Sequence, residues 1–144
     1  MRGDIAPHLR RLIYGRRTKR VVNMAKFRYL VNDVDEAIRF YSELGFTEKE
    51  RWGPPFAILQ RDDIELWVSG PGTSAAKAMP DGAKPEPGGW NRLVIPVEDI
   101  SSSVESLKSK GYRFRNEILE GPGGKQILAE DPSGNPIELF QPND

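Results

Sequence analysis

Four charged residues frame a pattern that the chain writes twice. Lys26 opens the first copy and Glu65 closes it; Arg92 opens the second and Glu138 closes it. A carboxylate can accept hydrogen bonds and, if burial raises its pKa, act as a general base. An ammonium can orient an anion or polarise a carbonyl, and a guanidinium offers a planar fork to a carboxylate or phosphate. The same four residues are equally suited to pairing with one another, as Lys-Glu and Arg-Glu contacts that hold two halves in register. Cysteine is absent, which removes thiolate metal sites, disulfides and thiol nucleophiles together. The sole histidine, His8, lies outside the repeat.

The elements that must position these residues follow from the repeat itself. Lys26-Phe-Arg-Tyr-Leu-Val-Asn-Asp33-Val34, with Ile38 and Gly45-Phe46 behind it, maps without a gap onto Arg92-Leu-Val-Ile-Pro-Val-Glu-Asp99-Ile100, with Val104 and Gly111-Tyr112 behind it. The offset is 66 residues, and Ile64-Glu65-Leu66 recurs as Ile137-Glu138-Leu139. In each copy an alternating strand leads to an Asp that can cap a helix, an apolar stripe at helical spacing, and a Gly stop. Three further strands follow in each copy: Phe46 to Arg51, Phe56 to Gln60 and Ile64 to Val68, then Tyr112 to Asn116, Gln126 to Ala129 and Ile137 to Phe140. The order is β-α-β-β-β twice. Asp33, Asp99, Gly45 and Gly111 read as helix punctuation.

Strand alternation puts Arg28, Leu30, Trp67, Val94 and Phe140 on the faces that carry the four charges, with Trp52 and Trp90 near strand ends. Aromatic walls with a few convergent polar groups suit a small-molecule pocket. The candidate ligand-binding set is therefore Lys26, Arg28, Glu65, Trp67, Arg92, Glu138, Phe140, Trp52 and Trp90.

Composition bounds the remaining possibilities. With 144 residues, 38% hydrophobic and 29% charged, the chain suits one soluble α+β domain with a buried core. No apolar run approaches a membrane span, no secretory h-region opens the chain, and a cytoplasmic protein is expected. The formal charge of zero hides a division: residues 1–23 carry a net +6 and the rest a net −6. The organisation expected is a basic extension over 1–23, disordered or folded as a short docking helix; a first module over 24–70; a Pro/Gly-rich linker or lid over 71–88; and a second module over 89–144. A basic arm can bind nucleic acid through its phosphates, but a solvated extension is the simpler reading, and nucleic acid is not an expected partner. Gly70-Pro-Gly72-Thr-Ser-Ala75 has the spacing of a dinucleotide loop but lacks the apolar helix that such a loop opens. The Gly121 to Gly124 run reads as a tight turn.

Two such units, each opening with a strand into Val-x-Asp and the second closing with Asp131-Pro-Ser-Gly-Asn-Pro-Ile-Glu-Leu139, resemble the vicinal oxygen chelate superfamily. That superfamily includes glyoxalase I, extradiol dioxygenases, and bleomycin- and fosfomycin-resistance proteins. The resemblance covers about residues 24 to 142 and implies curved sheets forming a cup, often completed by a homodimer. In metal-using members the first residue of each opening strand and the glutamate of each closing strand are ligands. Carried over, those positions are Lys26, Glu65, Arg92 and Glu138. The glutamates match, whereas the cations depart from the pattern. Arg92 has no lone pair to give, and Lys26 coordinates only after losing its proton. Each would repel a dication, since unit charges about 4 Å apart interact by roughly 4 kcal/mol at an effective dielectric near 20. No metal and no cofactor are expected. The resemblance and the two cations together imply a metal-free cup that binds a small amphipathic or aromatic molecule, for resistance or sequestration. The alternative is a metal-independent lyase, isomerase or hydrolase with Glu138 as base. A small-molecule ligand and a homodimer are the expected partners.

Overall fold

The chain alternates between residues that want a pleated surface and residues that want one face of a helix, and the fold follows that alternation twice. In the computed structural model, which describes residues 25–144, the first module runs β1 (Lys26–Leu30), α1 (Val34–Glu43), β2 (Thr47–Arg51), β3 (Phe56–Arg61) and β4 (Ile64–Ser69). The second runs β5 (Leu93–Pro96), α2 (Ile100–Ser109), β6 (Arg113–Phe114), β7 (Leu119–Gly121), β8 (Gly124–Glu130) and β9 (Pro136–Pro142). Residues 1–23, with the expected basic extension and His8, lie outside the described residues.

Both helices are punctuated as the repeat predicts. Asp33 accepts from the amide of Glu36 at 3.0 Å, and Asp99 from that of Ser102 at 3.2 Å. At the other ends Gly45 and Gly111 take φ of +88° and +89°, which a glycine adopts without a steric penalty. Phe46 N then donates to Tyr41 O and Gly45 N to Ser42 O, while Tyr112 N donates to Leu107 O and Gly111 N to Lys108 O. Each helix thus ends in a Schellman motif.

Each module makes one sheet. In the first, the strand order is β1-β4-β3-β2; in the second, β5-β9-β8-β6 with β7 also on β8. The opening and closing strands are parallel neighbours in both. The registers differ. Lys26 stands opposite Glu65, but in the second sheet Val94, not Arg92, stands opposite Glu138. A displacement of two residues keeps every side chain on its original face. Arg92 therefore reaches along the strand to its glutamate.

The helix-facing sides of both sheets meet in one apolar core. Phe40, Tyr41, Leu59 and Leu66 from the first module are buried in the same cluster as Ile95, Ile127, Ile137 and Leu139 from the second. Phe40 and Tyr112 stack edge to face across the modules with centroids 5.0 Å apart. The Asp131-to-Pro136 turn docks on the first module through polar contacts. Tyr41 donates to Asp131 Oδ2 at 2.7 Å, Asn135 Nδ2 to Leu30 O at 2.7 Å, and the Asn32 amide to Ser133 Oγ at 2.7 Å. Tyr29 completes the junction, donating to Pro136 O and accepting from the Leu93 amide.

Two details depart from the sequence reading. The strand expected over Tyr112 to Asn116 shrinks to Arg113–Phe114, because the Asn116 side chain caps the Leu128 amide in place of a backbone partner. The short strand β7 was not anticipated; it is the outer arm of the tight turn expected at Gly121 to Gly124. The segment after β4 forms only a three-residue 3₁₀ turn, Ser74–Ala76, which has no helix N-terminus to offer a pyrophosphate. It is tied at its two ends, by Gly70 N to Pro55 O and by Gly88 N to Asn135 Oδ1.

Candidate ligand site on the polar sheet faces

Because β1 and β4 pair with Lys26 opposite Glu65 and Arg28 opposite Trp67, one sheet face collects Lys26, Arg28, Glu65 and Trp67. Strand β3 adds Phe56 and Ile58 through its pairing with Ser69 and Trp67. Glu65 is 4% exposed. Its Oε2 accepts from Lys49 Nζ at 3.0 Å, and its Oε1 accepts from Trp67 Nε1 at 3.2 Å with Lys26 Nζ 3.9 Å away. Burial acts to raise the Glu65 pKa. The hydrogen bonds from Lys49 and Trp67 and the charges of Lys49 and Lys26 together outweigh it, and the carboxyl is held below its ordinary range.

Lys49 was missed by the sequence reading. Strand β2 is the charged run Thr47-Glu-Lys-Glu-Arg51, and strict alternation does not single out its middle residue. The register with β3 shifts between Glu48 and Glu50, and this irregularity accompanies the approach of Lys49 to Glu65. No residue type in the run signals a bulge.

Beyond Glu65 the face becomes aromatic. The Arg28 guanidinium lies 5.0 Å from the Trp67 ring centre and 5.9 Å from that of Phe56, and its NH1 donates to Ser69 Oγ at 3.0 Å. Phe56 meets Trp67 edge to face at 5.7 Å and Trp52 at 6.2 Å. Trp52 is 65% exposed, and its indole donates to Glu50 Oε1 at 2.8 Å. An aromatic run thus leads from the charged frame to solvent.

The second sheet carries the other frame. Arg92 donates from both Nε and NH2 to the same oxygen, Glu138 Oε1, at 3.1 and 3.0 Å, and from NH1 to Trp90 O at 3.2 Å. Glu138 is buried, and among the described residues its Oε2 has no hydrogen-bond partner. Val94 stands beside Glu138 and is exposed, and Phe140 is on the same face. Trp90 is exposed too, its ring 4.5 Å from the Arg115 guanidinium. Trp52 therefore flanks the first face and Trp90 the second.

The residues do not suit the divalent metal that this fold implies elsewhere. Arg92 offers no lone pair, Lys26 and Lys49 bring charge of the wrong sign, and both glutamates are already engaged by cations. Among the described residues, no three His, Cys, Asp or Glu side chains group so as to hold a metal ion.

Comparison with known proteins converges on one family. The family model described as Glyoxalase/Bleomycin resistance protein/Dioxygenase superfamily matches residues 23–139. A probable chloroplastic lactoylglutathione lyase from Arabidopsis thaliana is 28% identical over an alignment of 123 residues that covers 78% of this chain. The chain spans about a third of that relative's length, 34%. Two solved structures share the fold. An antibiotic binding protein from Streptomyces sp. CB03234 gives a TM-score of 0.62 at 23% identity, covering 84% of this chain and 96% of its own. A lactoylglutathione lyase from Agrobacterium tumefaciens gives 0.63 at 14% identity, covering 82% and 92%.

Proposed function

From the premise that this chain belongs to the Glyoxalase/Bleomycin resistance protein/Dioxygenase superfamily, we propose that it binds a small aromatic or amphipathic molecule without a metal, in a sequestering or resistance role. The observation that carries this reading is the run Arg28, Trp67, Phe56 and Trp52 beside the charged Glu65 frame. Such a surface supplies ring contacts along its length and orienting charge at one end. The chemistry of the four framing positions supports the metal-free part. The antibiotic-binding relative is a precedent for a binding role on this fold, and the lyases are a precedent for catalysis.

The alternative, a metal-independent lyase, isomerase or hydrolase, draws support from one feature: Glu138 Oε2, open among the described residues, can accept a substrate proton. Glu65 is disfavoured as a base, because both its oxygens are engaged and its lowered pKa weakens its hold on a proton.

A homodimer belongs to the same proposal. Exposed Trp52, Trp90, Val94 and Leu119 are apolar surface that a second copy would cover. No helix among the described residues is long and apolar enough to cross a membrane.

The test is calorimetric binding against a panel of aromatic and amphipathic compounds, with product analysis in the same tubes and metal analysis of untagged protein. Saturable binding with the compound recovered unchanged is expected. Turnover that Glu138→Gln abolishes would move the assignment to the alternative, and one tightly held transition metal per chain would overturn the metal-free part.

A further inference from the structure

Among the described residues, Arg28 and Lys49 bring two cations to the first sheet face at the place where its aromatic run begins. Lys26, Arg28 and Lys49 face Glu65 and the more distant Glu50, whose Oε1 is engaged by the Trp52 indole. Lys49 is the group best placed to meet an anion. Its ammonium has three N–H donors, and among the described residues one is taken, by Glu65 Oε2. Lys49 and the Trp67 indole are bonded to the two oxygens of one carboxylate, so cation and ring are fixed side by side. Glu65 thereby acts as a bracket that positions both.

We propose that the ligand of this face is a planar aromatic molecule bearing an anionic oxygen group, carboxylate or phosphate. Its anion meets the spare donors of Lys49, and its ring lies along Trp67 and Phe56. The inference rests on the aromatic-binding reading above and adds the charge of the ligand and the residue that selects it. Arg28 gives the same face a second cation, held against Trp67 and Phe56 and tied to Ser69. A neutral ring would leave the Lys49 donors to water. A cationic one would meet Lys49 and Arg28.

The experiment is calorimetric titration of the full chain, at neutral pH and low salt, with four probes sharing one ring system. These are 2-naphthoate, 2-naphthyl phosphate, neutral 2-naphthamide and 2-naphthylmethylammonium. At least one anionic probe should bind about tenfold or more tighter than the amide, the worth of one charge-assisted hydrogen bond, and the ammonium weakest. The stronger of the two anions identifies the headgroup. Lys49→Met should remove most of the anion preference, weakening the anionic probe about tenfold while leaving the amide unchanged, and Lys49→Arg should restore it. Far-UV circular dichroism and thermal melting verify that each variant is folded.

Equal affinity for anions and amide, or an equal loss for both in Lys49→Met, would overturn the proposal while leaving the aromatic-binding reading intact. Absence of binding by all four probes would overturn both.

Discussion

Glu65 and Glu138 sit in the same tripeptide, Ile-Glu-Leu, on equivalent closing strands, yet the two halves of the molecule treat them differently. Glu65 has both oxygens engaged, by two lysines and an indole, and faces an aromatic run. Glu138 has one oxygen doubly engaged by a single guanidinium and, among the described residues, the other open. The cause is local geometry. A register irregularity in β2 accompanies the extra lysine of the first module, and a two-residue displacement between β5 and β9 leaves Arg92 to span the gap in the second. A duplicated sequence has become one locked carboxylate and one half-used carboxylate. The first fixes an ammonium and an indole side by side; the second keeps one oxygen unpaired among the described residues.

The two modules share one core and one polar junction, and the largest effect expected comes from breaking that junction. Asp131 is 3% exposed and accepts from Tyr41, from the Ser133 amide, and from both the backbone and the side chain of Asn135. Burial raises its pKa despite these four bonds, and burial together with the Asp131 carboxyl pushes the Tyr41 hydroxyl well above its ordinary range, so Tyr41 serves as a neutral donor. Asp131→Ala leaves those buried donors without an acceptor and should cost about 3 kcal/mol or more in urea unfolding. An unchanged unfolding midpoint would show that the apolar core alone holds the modules together.

Removing one cation from each frame tests the asymmetry directly. Arg92→Met strips Glu138 of its one charged partner among the described residues and should cost about 2 kcal/mol, less than the loss of a fully buried pair because 32% of the Arg92 side chain remains in solvent. Lys49→Met leaves Glu65 with Lys26 and Trp67 and should cost under about 1 kcal/mol, because 34% of the Lys49 side chain remains in solvent. Equal costs would mean that the two frames are energetically alike and the geometric contrast is inconsequential.

The smallest effect is a change in acid response. The folded pKa of Glu65 lies below that of the unfolded chain, so its pairing stabilises the protein fully above the unfolded carboxylate range, and this contribution is lost as pH falls through the folded value. The gap in unfolding free energy between wild type and Lys49→Met should therefore narrow as the solution is acidified below about pH 4. Carboxyl NMR should show the Glu65 titration moving upward in Lys49→Met. A gap that is constant with pH would disconnect Lys49 from Glu65.

Much of this was legible in the residues. The Asp caps, the Gly stops and the alternation that gathers Lys26, Arg28, Glu65 and Trp67 on one face are local rules, because a helix cap and a strand face depend on a few neighbouring residues. Lys49 was not legible. Its run has no apolar alternation, and its reach to Glu65 involves strands that the turns bring together from 16 positions apart. The open oxygen of Glu138 was equally hidden, since only the parallel register decides which atoms of Arg92 arrive and at which oxygen.

The sequence by itself determined the repeated β-α-β-β-β order, the punctuation of its helices and the types of the four framing residues, Lys26, Glu65, Arg92 and Glu138. The tertiary structure alone decided how each carboxylate is satisfied and which side chains share its surroundings. Periodicity specifies the face on which a side chain emerges. Register, bulges and module docking set the distance between groups on that face, and those depend on contacts between segments far apart in the chain.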